Sequence, residues 1–224
     1  MPGPRRVSRR FLGDADKAAI EARVAALEQA LGIEVVTVVT ARSDAYPQIV
    51  WRAFALGAAF AALAVTLVDL AQPAWVASAL VLTSVVAVLG TGALCALATL
   101  YVPAFARRLL HEDEARAEVR QYAHDQFLAR ELFATPGRTA LLVVVSMFER
   151  RVVVLPDKGL RAQASAAQWD RVVERMTREF RAGTTGGAVL AGLDAIGELL
   201  AGKVVAAASP NLFADEPIVD RGSR

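Results

Sequence analysis

The amino-acid sequence predicts an α/β unit interrupted by an inserted hairpin of two membrane-spanning helices. Three observations lead there. Ala53 to Phe105 carries a single charge, Asp69, and is long enough for two of the roughly 20-residue apolar runs that a bilayer core needs. On either side of it, apolar residues recur at helical spacing. Three short runs outside it, 33–40, 139–147 and 151–155, are rich in β-branched residues, the mark of strands.

Residues 1–13 hold Pro2, Pro4 and the arginines Arg5, Arg6, Arg9 and Arg10, a basic, flexible leader that cannot bury a core. No apolar run follows them directly, so no cleavable signal is expected and insertion relies on the hairpin. Residues 14–47 form the first part of the α/β unit. Ile20, Val24, Leu27 and Leu31 share one face of a helix from Asp14 to Leu31, and Gly32 supplies its C-cap. The strand Ile33 to Thr40 is apolar on both alternations, as a strand covered on both faces must be.

Residues 48–108 are the hairpin. Its arms run from Ala53 to Val68 or Leu70 and from Trp75 to Tyr101, around a Gln72-Pro73 break. Trp51, Trp75 and Tyr101 fall where amphipathic rings partition to the interface. Gly57, Ala61 and Ala64 in one arm, and Gly90, Gly92, Ala93 and Ala96 in the other, permit close helix approach. Arg52, Arg107 and Arg108 flank the hairpin while its turn has no Lys or Arg. The positive-inside rule therefore predicts a two-pass protein with both termini, and the α/β unit, in the cytoplasm.

Residues 109–203 are the second part of the α/β unit. A helix is expected from His111 to Phe133, with Pro103 marking a kink or break before it and Thr135-Pro136-Gly137 closing it. Thr139 to Met147 and Arg151 to Leu155 should pair antiparallel, and Pro156-Asp157-Lys158-Gly159 should turn tightly. Ser165 to Gln168 reads as a capping box opening a helix with Trp169, Val172, Val173, Met176 and Phe180 inward. A loop from Gly183 to Gly187 and a last helix from Ala188 to Ala201 follow, then an unstructured tail over residues 204–224.

A mean hydropathy of +0.39 is high for a soluble chain, and the hairpin accounts for the excess. A net charge of +2 over 224 residues and no basic face interleaved with aromatics exclude nucleic acid as a partner. The lone cysteine, Cys95, lies in a membrane arm, so it forms no intrachain disulfide and serves no nucleophilic site. His111-Glu112-Asp113-Glu114 lacks the paired histidines of a helical zinc site, and His124-Asp125 shares no face with it. The glycines of Gly183 to Gly187 precede a helix without the lysine of a P-loop. The remaining candidate binding residues are Asp157 and Gly159, at the end of a buried strand where α/β sheets build sites; a plain reverse turn accounts for them equally well.

The run Arg138-Thr139-Ala140-Leu141-Leu142, its apolar continuation to Ser146, the Glu149-Arg150 corner and the closing Asp157-Lys158-Gly159 resemble the TPM domain family, in its membrane-embedded bacterial subgroup. Ala140 departs from that family's usual glycine. The resemblance implies a TPM-like sandwich, a central sheet flanked by helices, in a bacterial inner membrane. It implies no single activity. The leading expectation is an interaction, assembly or quality-control module for membrane proteins, without catalysis and without a cofactor. Its partners would be the lipid bilayer and another membrane protein, with homo-oligomers built on the Gly/Ala faces. The alternative is an acid phosphatase-like hydrolase at Asp157, assisted by a divalent cation such as calcium, which would need further carboxylates nearby.

Overall fold

A computed structural model of the chain describes residues 12–71, 77–203, 212–220 and 222. In chain order the first elements are α1 (Asp14–Leu31), β1 (Glu34–Thr40), α2 (Pro47–Ala71), α3 (Ala77–Tyr101), α4 (Pro103–Arg108) and α5 (Glu112–Ala129). There follow 3-10 turns at Leu132–Ala134 and Pro136–Arg138, then β2 (Ala140–Ser146), β3 (Arg151–Pro156), α6 (Lys158–Arg161), α7 (Ala166–Ala182), α8 (Thr185–Leu200) and β4 (Ile218–Asp220). The chain divides into two compact units, Met1–Asp44 with Arg116–Arg224, and Ala45–Ala115.

The first unit is a four-stranded mixed sheet in the order β3-β2-β1-β4. β1 runs parallel to both β2 and β4, with Glu34 opposite Ala140 and Val38 opposite Ile218. β2 and β3 are antiparallel, with Val144 opposite Val153, as the short link between them requires. Because side chains alternate across a strand, β1 and β2 feed two cores. Val35, Val39, Leu141, Val143 and Val145 pack with Ile20, Val24 and Leu27 of α1, with Val172 and Met176 of α7, and with Leu193 and Ile196 of α8. Val36, Val38, Leu142 and Val144 pack instead with Ala123, Tyr122 and Phe127 of α5 and with Leu132. Every residue of β1 and β2 is buried, which is what apolarity on both alternations demands.

Several expectations are corrected. The helix predicted to reach Phe133 ends at Ala129, where Glu131 at φ 53° turns the chain into the 3-10 turns. Gly183 to Gly187 is not all loop: the Thr184 hydroxyl oxygen accepts the Gly187 N–H at 3.1 Å and caps α8. Gly186 is packed so closely on α1 that an added Cβ would lie 2.7 Å from the Asp16 Cβ. The tail expected over 204–224 contains β4, because the outer edge of β1 is open to it and Ile218 and Val219 are β-branched. Asp157 begins a helix rather than a tight turn, accepting the Lys158 N–H at 2.6 Å as N-cap of α6. The basic leader up to residue 11, the Gln72-Pro73 break, Trp75 and tail residues 204–211 lie outside the described residues.

The second unit is the hairpin of α2 and α3. Helix α3 stops at Tyr101, and Val102 takes φ −118° and ψ 87° before Pro103 opens α4, the restriction proline places on the residue before it. Helices α3 and α5 are therefore separate. Gly57 and Gly92 are the contact points: a Cβ on Gly57 would lie 2.7 Å from the Cys95 Sγ, and one on Gly92 2.9 Å from the Phe54 ring. Gly90 has nothing within 4 Å, and Ala64 and Ala93 are exposed. Arg52 donates to the two carboxylate oxygens of Glu114 at 2.7 and 3.3 Å, and Gln48 adds a bond at 3.0 Å. The Arg52 hydrogen bond holds the Glu114 carboxyl below the usual range.

Candidate functional site

The motif residues separate to opposite ends of β2. At its start, the Arg138 Nε and Nη2 donate to Asp157 Oδ2 and Oδ1 at 2.7 and 2.9 Å, a bidentate fork in which geometry and charge reinforce each other. Asp157 is buried, and its backbone N–H donates to the Ala140 carbonyl at 2.9 Å. Gly159 is needed because a Cβ there would lie 2.7 Å from the Arg138 carbonyl oxygen. Ala140 is fully buried among apolar neighbours, so its methyl fills core and the departure from glycine costs the strand nothing visible. The partnership with Asp157 raises the Arg138 guanidinium further above its ordinary value.

At the other end of β2, the Ser146 hydroxyl donates to Glu149 Oε2. Glu149 Oε1 accepts the Ser43 N–H at 3.0 Å, tying the β2–β3 corner to the segment after β1. Arg150 turns the corner at φ 52°, and the Arg42 guanidinium lies 4.5 Å from the Phe148 ring centroid. In open α/β sheets, ligands bind beyond the carboxyl ends of parallel strands. For β1 and β2 that is the Ser146–Glu149 end. Asp157 ends β3, which runs the other way, so the rule that drew attention to Asp157 points away from it. The Ser146, Glu149 and Arg150 corner was visible as a motif, but its partners Arg42 and Ser43 carried no signal in the sequence.

Beside Asp157 lies a cleft of about 280 Å³ lined by His124, Phe127, Leu128, Arg138, Leu155 and Arg161 among others. Both Asp157 oxygens are committed to Arg138 and the Lys158 N–H. Among the described residues no group of three or more His, Cys, Asp or Glu is placed to hold a metal ion. The residues around Asp157 thus do not fit a divalent cation such as calcium.

A second polar cluster sits where the C-terminal segment meets the sheet. Glu28 Oε1 accepts the Val35 N–H at 2.7 Å, and Glu34 Oε1 accepts the Leu212 N–H at 3.2 Å. Burial pushes Glu28 up to about 7 against the pull of the Val35 N–H, with the Glu34 and Asp215 carboxylates adding to the rise. Burial also raises Glu34, opposed by the N–H groups of Leu212 and Phe213. Tyr122 donates to Asp220 Oδ2 at 2.6 Å and is raised chiefly by burial, then by that bond.

The sheet is mixed and covered on both faces, and it carries the Arg-Thr, Ser…Glu-Arg and Asp-x-Gly residues at the two ends of β2. Residues 97–199 match the model of the TPM domain family. The NMR structure of the BA42 protein from the psychrophilic bacterium Bizionia argentinensis is similar, with a TM-score of 0.55 at 12% identity, over 93% of this chain and 95% of that one. At that identity the likeness is one of fold. No curated protein matches the chain.

Proposed function

We propose that this chain is a two-pass protein of a bacterial inner membrane whose TPM unit, on the cytoplasmic side, serves as an interaction or assembly module for other membrane proteins. One observation carries the reading: α2 and α3 are each 25 residues long and turn their large apolar side chains outward. Phe60 is 72% exposed and Leu82 and Leu94 68% each. Only 17% and 6% of their most apolar windows are buried, whereas a core helix of a water-soluble protein is mostly buried. Arg52, Arg107 and Arg108 at the open end of the hairpin set its orientation by the positive-inside rule.

Membrane separation and cysteine labelling test it. In a Cys95→Ala background the protein should pellet with membranes at alkaline pH. Ala71→Cys should react with an impermeant maleimide on intact spheroplasts, and Ser165→Cys only after lysis. Extraction into the supernatant without detergent, or labelling of Ser165→Cys from outside, would refute insertion or its orientation. Site-specific crosslinking from the TPM unit that returns only self-crosslinks at native expression would refute the module.

A further inference from the structure

The cleft beside Asp157 has chemistry the motif residues do not use up. Arg138 keeps its Nη1 end after pairing through Nε and Nη2, and its side chain is half exposed. Arg161 spends one N–H on the Pro156 carbonyl at 3.2 Å and has further donors. His124 adds an imidazole on the same lining, and Phe127, Leu128 and Leu155 make it largely apolar. Asp157 is the only carboxylate among the lining residues and is neutralised by its fork, so two arginines and one carboxylate leave a single net positive charge. A dianion such as phosphate would bring one charge too many and no apolar body for the walls. A carboxylate suits a guanidinium edge, and a volume of about 280 Å³ sits at the small end of ligand pockets.

We propose that this cleft binds a small monocarboxylate with a branched apolar body, held at its charged end by Arg161 and Arg138 and along its body by Phe127, Leu128 and Leu155. The same chemistry is offered by a free aliphatic acid and by the carboxyl terminus of a polypeptide ending in an apolar residue. This site lies in the TPM unit and stands whether or not the hairpin crosses a bilayer.

The test uses the full chain in nanodiscs of zwitterionic lipid, titrated with 4-methylpentanoate, N-acetyl-leucine, 4-methylpentanamide and inorganic phosphate. Binding is read by calorimetry and by the His124 resonance, one of only two histidines in the chain. Both acids should bind with Kd below about 10 mM and shift His124, the amide and phosphate more weakly. Tighter binding of 4-methylpentanoate assigns a free acid, and of N-acetyl-leucine a chain terminus. Arg161→Gln should weaken both acids about tenfold with the thermal midpoint unchanged. Leu128→Asp, at an exposed position, should do the same without touching Arg161. Equal binding of amide and acid, tighter binding of phosphate, or affinities untouched in both variants would overturn the site.

Discussion

The TPM unit and the hairpin are built from much the same apolar residues and treat them in opposite ways. In β2, Leu141, Leu142, Val144 and Val145 are fully buried; in the hairpin, Leu56, Leu63, Leu67 and Leu100 are each about 60% exposed. A strand between two layers has a partner for each face, so its large side chains go inward. Two helices alone have one shared seam, and here small residues, Gly57, Ala61 and Gly92, occupy it. Small residues in the seam let the two helix backbones approach closely.

The sharpest way to break the comparison is to place the same charge in each unit. Leu142→Asp should destabilise the TPM unit by more than about 4 kcal/mol, abolishing its cooperative thermal transition. Phe60→Asp should leave that transition in place and instead raise the cost of insertion by about 3 kcal/mol, read as protein lost from the membrane pellet. A collapse of the TPM transition in Phe60→Asp would show that the hairpin's outer face is core.

A smaller effect separates glycines that are needed from those that are not. Gly159→Ala drives a methyl into the Gly137–Arg138 backbone and should cost about 2–3 kcal/mol in denaturant unfolding. Gly90→Ala, with nothing within 4 Å, should shift stability by less than about 0.5 kcal/mol.

The smallest effect is the pH linkage of the α/β unit. Glu28 is raised from an ordinary 4.5 to about 7, so the folded state binds its proton more tightly than the unfolded chain. Its contribution is complete below pH 4.5 and lost as pH rises through about 7. Between those limits the loss should be on the order of 1–2 kcal/mol after solvent screening, seen as smaller amide protection factors in β4 at pH 8 than at pH 5 once the base-catalysed intrinsic rate is divided out. Glu28→Gln should flatten the dependence.

Apart from the short helices α4 and α6, the helices, the three longer strands, the β2–β3 pairing, the break at Pro103 and the hairpin pattern were legible in the residues. Each depends on spacing within about 20 positions. The family motif was legible as well, although it fell into two clusters rather than one site. What stayed hidden depends on partners far along the chain: β4 finding the edge of β1, the Asp16 side chain against Gly186, the Glu149 bond to Ser43, and the fork that turns Asp157 from a candidate ligand into a paired helix cap.

By itself the sequence determined that an α/β unit is interrupted by two apolar helices, because periodicity and the absence of charge are local properties a chain carries before it folds. Tertiary structure alone decided which glycines touch, where the strand direction reverses beside Asp157, and which carboxylates remain free to act. Those outcomes depend on which distant backbone arrives within a few ångströms, and no run of neighbouring residues encodes that distance.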